Sequence, residues 1–471
     1  MVQGSVSVAS LGARVLLKRT LLSILMLSVA TSGMPTPAAA QGGPERLSLV
    51  RDSEIENTIR FYVTPIFRYA GLDPDNVQIH LVNDRRLNAF VANGQHIFIN
   101  TGLLIASENA LQVIGVLAHE TGHIQGGHLL RAREAIRNAQ LQSLIALALG
   151  VGAAVAARDG GAAMATLGLG SKIVEGTYLK YSRTQEQSAD QFAVDALENE
   201  GISARGLLDF FQVLENQEFL VTDRQDPYMR THPLTQDRIE FVRNFVAKSR
   251  YSNAKLPAVY DEMHARMRAK LIGFIEAPSR TFQVYKETDQ SIPARYGRAI
   301  AYHKAANTAK ALAEVDSLIA ERPQDPYFHE LKGQILFEVG RPAESVKSYE
   351  EAVRLLPGDA LIRTNLAQAL IALDTPAADR QAIAHLNEAS RRDSGYPPTW
   401  RLLGIAYGRQ GDIGMASLAL AENALLVGDV KSARAQAARA DRLLAKGSPG
   451  WNRVQDIKRE IDRQGAEDAD R

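Results

Sequence analysis

Three of the chain's ten histidines lie within ten positions in the stretch VLAHETGHIQGGH, residues 116–128. His119 and His123 are four residues apart, so on a helix both rings project from one face and can bind one metal ion. Glu120 would lie on the adjoining flank, where its carboxylate can act as a general base toward a water at the metal. The spacing predicts metal-assisted hydrolysis, and zinc suits it because tetrahedral coordination leaves one position open for that water.

The residues before this motif indicate that its helix is buried. The apolar run LQVIGVLA leads directly into His119. Buried imidazole and carboxylate groups require polar partners or a metal ion. The alternative, a surface helix with two solvated histidines, fits this apolar run poorly.

A third ligand is predicted from the segment YLKYSRTQEQSADQFAVDAL, residues 178–197. Glu186 and Asp190 are four residues apart on this predicted helix. Glu186 can reach the ion as a carboxylate ligand, and Asp190 can accept a hydrogen bond from the outer nitrogen of a ligating histidine. Without the upstream motif, such a pair would more often form a solvated helix face.

Composition excludes several other classes of protein. The chain has 471 residues, 45% of them hydrophobic, a formal net charge of +1 and no cysteine. Disulfides, thiolate catalysis and cysteine-based metal sites are therefore excluded. The balanced charge gives no indication of nucleic-acid binding.

The first forty residues have the pattern of a secretory signal. Arg14, Lys18 and Arg19 precede the apolar run 21–30, and the small residues Ala38 to Ala40 resemble a cleavage site. We therefore predict that residues 1–40 are a secretory signal, with cleavage after about Ala40. The alternative is a cytosolic protein with an apolar N-terminal helix.

Residues 46–275 mix helix and strand patterns. Residues 46–71 predict an amphipathic helix that ends at Gly71. Asn93-Gly94, between AFVA and HIFI, predicts a hairpin with a two-residue type I′ turn. We predict that the second strand, QHIFIN, lies at the edge of the sheet beside the metal, where an extended polypeptide could pair with it.

From about 292 the chain shows only helical segments with a repeat. Ala299, Gly333 and Ala367 follow each other at intervals of 34 residues, and WRLLGIAYGRQGD, residues 400–412, begins another unit. This pattern resembles about four tetratricopeptide repeats, which stack into a solenoid with a concave binding face. An unrelated helical bundle is the alternative.

The predicted fold class is α+β, mostly helical: a domain that carries the histidine motif, followed by an all-α repeat solenoid. The predicted boundaries are a signal at 1–40, the domain of the histidine motif at 41–275, a linker at 276–291, the repeats at 292–465 and a polar tail at 466–471.

Three segments together, AHETGHIQGGH, SRTQEQSAD and THPLTQDRI, resemble the HtpX-like and CAAX-protease-like zinc metallopeptidases. With the signal and the repeats, the chain is similar to the periplasmic BepA-like group of that family. The resemblance implies a gluzincin-type domain with one Zn²⁺ per chain, held by His119, His123 and Glu186. It implies Glu120 as the general base and Asp190 as the partner of a ligand histidine, with His128 structural.

His232 lies in a polar, proline-punctuated segment, DRQDPYMRTHPLT. By resemblance this loop covers the active site. We expect His232 to bind zinc in a closed resting state, while stabilisation of the oxyanion and a packing role remain alternatives. Arg238 is a weaker candidate for an electrostatic role, since such a residue more often lies on the helix surface. The remaining six histidines have no ligand spacing and are interpreted as ordinary core or surface residues: His80, His96, His264, His303, His329 and His385.

Residues 144–170 are an apolar segment interrupted by Arg158 to Gly161, which favours a helical hairpin on the core over a contact with the membrane surface or with substrate. The family implies hydrolysis of misfolded or misassembled outer-membrane proteins, with the repeats docking these substrates or the machinery that assembles them. The competing hypothesis is a chaperone-like adaptor that binds envelope proteins through its repeats and keeps its zinc site latent.

Overall fold

The computed structural model describes residues 48–92, 94–129, 183–218 and 232–469. Its elements in chain order are β1 (Leu49–Val50), α1 (Ser53–Tyr69), β2 (Gln78–Val82), β3 (Ala89–Ala92), β4 (His96–Asn100), α2 (Thr101–Ala106), α3 (Ala110–Gln125), α4 (Arg183–Asn199), α5 (Arg205–Glu218), α6 (Gln236–Lys248), α7 (Ala258–Ile275), α8 (Pro278–Val284), α9 (Ile292–Lys304), α10 (Thr308–Glu321), α11 (Pro326–Glu338), α12 (Pro342–Leu355), α13 (Ala360–Ile371), α14 (Pro376–Arg392), α15 (Pro397–Arg409), α16 (Ile413–Leu426), α17 (Val430–Leu443) and α18 (Pro449–Ala469). Within the described ranges, no helix combines the length and apolarity that a membrane span requires. The predictions for residues 1–40 and 144–170 concern segments outside these ranges.

The four strands form one sheet in the order β1-β2-β4-β3. β2 and β4 are parallel, whereas β1 pairs with β2, and β3 with β4, in antiparallel fashion. The prediction that QHIFIN is an edge strand is wrong, because β4 has a neighbour on each side and the outer strands are β1 and β3. The continuous burial of residues 97–100 fits this inner position, since a strand paired on both sides favours an uninterrupted apolar run.

The predicted hairpin between β3 and β4 is confirmed, but its turn is longer than predicted. Ala92 pairs with His96, so three residues connect the strands instead of two. Gly94 has a φ of 89°, a conformation that glycine adopts without a steric penalty. The carbonyl of Gln95 accepts a hydrogen bond from the amide of Gln78, so the neighbouring strand β2 holds this residue in the connection.

Helix α3 carries the histidine motif through the centre of the N-terminal core. The Asn109 side chain caps it by accepting a hydrogen bond from the Gln112 amide, and Gly127, with a φ of 59°, follows its end. The helix contacts α1, α4, α5 and β3, and all but one of its first fourteen residues are buried. The helix that carries the motif is therefore buried, as its apolar run predicted.

The C-terminal helices pair in the manner of tetratricopeptide repeats. The small residues at the predicted positions are explained by contacts within each pair. A side chain at Gly333 would meet the Tyr349 ring at 2.9 Å, and one at Gly404 would meet Leu420 at 2.8 Å. The fold class, α+β followed by an all-α solenoid, is confirmed.

The segment between the two predicted domains is structured. Helix α7 ends at Ile275, the short helix α8 follows, and α9 begins at Ile292. Phe274 and Phe282 pack against the first core cluster of the repeats. Helix α7 also contributes Met267 and Leu271 to the N-terminal core, so this one helix joins both cores.

Close packing of α3 against α5 yields a stability prediction. A Cβ at Gly115 would lie 2.7 Å from the Leu207 backbone nitrogen, so we expect Gly115→Ala to lower the free energy of unfolding by about 1–3 kcal/mol. Gly408→Ala is the matched control, because its nearest neighbour would be 4.0 Å away, and it should be neutral or slightly stabilising. Chemical denaturation followed by circular dichroism measures both. Equal stability of the two variants would contradict the packing described for α3.

Candidate metal centre

Three of the predicted ligands converge on one point. The Nε2 atoms of His119 and His123 lie 3.1 Å apart. The two oxygens of Glu186 lie 3.4 Å from these nitrogens, one oxygen to each ring. All three side chains are completely or almost completely buried. Helix α3 supplies both rings from one face, and helix α4 supplies the carboxylate from the opposite side.

These distances fit a metal ion well. Zinc binds histidine nitrogen at about 2.0–2.1 Å, so two ligands of a tetrahedral site are separated by about 3.3 Å. The ligand atoms of His119, His123, Glu186 and His232 all lie within 4.8 Å of one another. Imidazole nitrogen and carboxylate oxygen are also a common ligand set for zinc. The donor set and its spacing therefore match a zinc site.

Both ligand histidines are held by their outer nitrogens. Asp190 Oδ1 lies 2.8 Å from His119 Nδ1, which directs the Nε2 of that ring toward the centre. His128 Nδ1 lies 2.9 Å from His123 Nδ1 and does the same for the second ring. Burial opposes a charged His119, but the bonds with Asp190 and Glu186 outweigh it and raise the pKa to about 9. His128 is therefore more than a packing residue, since it orients a candidate ligand.

Arg238 is the main residue that the sequence interpretation underestimated. Its side chain is only 2% exposed. Nε and Nη2 bond the two oxygens of Asp190 at 2.6 and 2.8 Å, and Nη1 lies 2.7 Å from Glu186 Oε2. Burial disfavours ionised Asp190, but Arg238 holds its pKa below the ordinary value. The interpretation of Arg238 as a helix-surface residue is wrong.

The position of Arg238 follows from a local helix start. Thr235 caps α6 by accepting from the Arg238 amide, which places this residue in the first turn of the helix. Arg238 Nη1 also donates to the Pro233 carbonyl at 3.1 Å. The guanidinium therefore ties the segment that carries His232 to the candidate ligand Glu186. The capping motif THPLTQDR was the only signal in the sequence that could have indicated this arrangement.

His232 lies inside the cluster, beside the candidate ligands, as expected of a residue that covers the site. Its side chain is fully buried. Nδ1 lies 3.2 Å from Glu186 Oε1, and Nε2 lies 3.6 Å from Glu120 Oε1. The ring thus occupies the space beside the two α3 histidines where a fourth ligand or a substrate group would be placed.

Glu120 is buried beside this cluster. Neither of its carboxylate oxygens is hydrogen-bonded within the described ranges. Burial raises its pKa. Such a carboxylate is destabilised by lost solvation unless a water or substrate group bonds to it. The arrangement can therefore accept a proton from a water held next to it.

Of the other histidines, His80, His96 and His264 have structural contacts in the N-terminal part. His80 Nε2 lies 2.9 Å from His96 Nδ1 on the sheet face, and His264 is buried against Ser107 at 3.1 Å. In the repeats, His303 pairs with Glu338, His329 bonds the Pro323 carbonyl, and His385 contacts Arg363.

The comparisons with known proteins cover this site and the repeats. Residues 53–246, which include every site residue described above, match peptidase family M48. Residues 296–360 and 330–397 match tetratricopeptide repeats.

Curated relatives carry related names. A putative beta-barrel assembly-enhancing protease from Vibrio cholerae serotype O1 is 28% identical over 53% of this chain and 51% of its own length. The beta-barrel assembly-enhancing protease of Yersinia pestis is 25% identical over 75% of this chain and 72% of its own. Metalloprotease YcaL of Escherichia coli K12 is 30% identical over 38% of this chain and 64% of its own length. The chain thus spans about half of the first of these relatives.

The order of the two matched regions along the chain agrees with the observed fold, with the histidine motif in the first region and the helix pairs in the second. The chain therefore carries a metallopeptidase domain of family M48 followed by tetratricopeptide repeats, which confirms the resemblance that its motifs indicated.

Proposed function

We propose that the protein is a zinc-dependent endopeptidase of protein quality control in the bacterial periplasm. The observation that carries this proposal is the convergence of two Nε2 atoms and a carboxylate beside the buried Glu120, whose carboxylate has no hydrogen bond to any described residue. One zinc ion per chain would be held by His119, His123 and Glu186.

Each residue would have a distinct role in peptide hydrolysis. Bound zinc supplies a Lewis acid that polarises the scissile carbonyl and lowers the pKa of water. Glu120 accepts the proton of the attacking water and transfers it to the departing amine. Asp190 and His128 keep the two imidazoles oriented, and Arg238 keeps Asp190 and Glu186 in place.

The proposed substrates are misfolded or misassembled outer-membrane proteins. The names of the relatives from Vibrio and Yersinia refer to enhanced assembly of β-barrels, and the N-terminal pattern with Arg14 and Lys18 favours export. The repeats would dock these polypeptides or the machinery that assembles them. In this proposal the signal is 1–40, the peptidase domain 41–275, the linker 276–291, the repeats 292–465 and the tail 466–471.

A second candidate is an adaptor that binds envelope proteins through its repeats and keeps the zinc site closed. It is favoured by one observation, the burial of the His232 ring between Glu120 and Glu186. A ring held there would fill the position that water and substrate need.

Replacing the proposed general base separates the two candidates. We expect Glu120→Gln to retain about one zinc per chain by elemental analysis, because Glu120 is not a proposed ligand. Casein degradation should fall by about 10²–10⁴-fold, since the amide cannot accept a proton. Glu108→Gln, an exposed residue just before α3, is the control and should behave like the wild type. Undiminished cleavage by Glu120→Gln would exclude the assigned base, and no cleavage even by the wild type would favour the adaptor.

The residues around the ligands should control metal affinity. We expect Asp190→Ala and Arg238→Ala each to weaken zinc binding by about 10–100-fold, because a candidate ligand loses its orientation. Competition against a chromophoric chelator measures the affinity. Asp195→Ala on the same helix is the control, since Asp195 bonds Gln191 within α4. An affinity equal to that of Asp195→Ala would contradict the supporting role of both residues.

Substitution of His232 tests whether its ring closes the site in the resting protein. If the ring closes the site, His232→Ala should raise basal casein degradation by about two- to tenfold, because a larger fraction of molecules becomes competent. Zinc content should stay unchanged, and His329→Ala in the repeats serves as the control. A large loss of activity would instead support the oxyanion role and overturn the closed resting state.

A further inference from the structure

A cleft lined by both polar and apolar residues lies between the peptidase domain and the repeats. Its volume is about 700 Å³, within the range of about 300–1,000 Å³ typical of ligand pockets. One wall is formed by β1, the start of α1 and the end of α7, and the other by α11 and α13. The cleft therefore places the inner face of the second and third repeats opposite the peptidase domain.

Buried ion pairs hold the two walls together. Arg266 on α7 lies 2.7 Å from Glu54 of α1 and also binds Asp325 at the start of α11. The Tyr296 hydroxyl of α9 donates to Glu54 at 2.7 Å. Lys270 lies 2.9 Å from Asp52. Removing one member of such a network leaves a buried charge without compensation, so Arg266 links α1 and α7 to the start of α11 by contacts that are costly to break.

Glu330 on α11 is the one acidic group of this network that is poorly satisfied among the described residues of the cleft. It is only 8% exposed, and its Oε2 has no hydrogen bond. The Lys270 ammonium lies 3.7 Å from that oxygen but is closer to Asp52 and Glu54. Burial raises the pKa of Glu330 to about 8 despite this ammonium. A cationic side chain entering the cleft would supply the hydrogen bond that this oxygen lacks among the described residues and would stabilise its ionised form.

The same walls present groups suited to a peptide backbone. Gln334, Asn365 and Gln368 line the cleft with carboxamides. Each carboxamide has a donor and an acceptor and can bond both polar groups of one peptide unit. Val50 of β1 lies on the opposite wall, and β1 ends the sheet, with β2 as its only partner strand in the described ranges. An edge strand can pair with an extended chain.

We propose that this cleft binds an extended polypeptide and places a lysine or arginine side chain of it against Glu330. The backbone of the bound segment lies along Asn365 and Gln368. This inference deepens the proposed function and rests on it only in taking polypeptides as ligands, since an adaptor would use the same cleft.

Binding is measured on full-length, zinc-loaded protein carrying Glu120→Gln, so that cleavage does not interfere. The probes are three fluorescein-labelled octapeptide mixtures with Lys, Gln or Glu at the fourth position and uncharged residues elsewhere. Fluorescence anisotropy gives the dissociation constants. We expect the Lys mixture to bind at least about tenfold more tightly than the Glu mixture.

Introducing Glu330→Gln into the Glu120→Gln protein should remove the preference for the Lys mixture. Introducing Asn365→Ala instead should weaken the binding of all three peptide mixtures equally. Glu351→Gln is the control, because Glu351 lies on α12 and pairs with Arg354 at the surface. The proposal is overturned if no mixture binds, if Lys is not preferred, or if Glu330→Gln keeps the preference. If the wild type cleaves casein but the peptides show no lysine preference, only the inference about the cleft is rejected. If the lysine preference is found but the wild type does not cleave casein, only the proposed peptidase activity is rejected.

Discussion

The Arg238 guanidinium is the interaction on which the metal centre depends. Its three nitrogens bond Asp190, Glu186 and the Pro233 carbonyl in a region that water does not reach. Two buried carboxylates this close would repel each other and lose solvation without a cation between them. The planar, permanently charged guanidinium satisfies both at once, which an ammonium could not do with the same geometry. One side chain thereby aligns a candidate ligand, the partner of another ligand and the segment of His232.

The helices must approach closely for these contacts to form. A Cβ at Gly122 would lie 2.9 Å from the Ala189 Cα, so the absence of a side chain lets α4 lie directly against α3. This approach brings Glu186 within reach of both rings. The burial that results removes water from the site, which strengthens each electrostatic interaction within it. The same burial raises the pKa of Glu120 and makes its ionised form unfavourable unless a polar group bonds to it.

The sequence predicted those features that depend on residues close together along the chain. The motif of α3, the Glu186 and Asp190 pair on α4, and the 34-residue interval of the repeats each depend on residues within one or two helices. Contacts between distant segments were missed. Arg238 was taken for a surface residue because its partners lie on α4, 48 residues away for Asp190. The inner position of β4 was missed because a parallel partner leaves no local signal. The cleft beside Glu330 arises only when two domains pack.

The central claim is that His119, His123 and Glu186 hold one zinc ion between α3 and α4. Anomalous diffraction from crystals of the full chain, recorded on both sides of the zinc absorption edge, tests it directly. The account predicts one strong peak per chain, about 2.0–2.2 Å from both Nε2 atoms and from a Glu186 oxygen. A peak elsewhere, or none between these three residues in protein that contains zinc by elemental analysis, would contradict it.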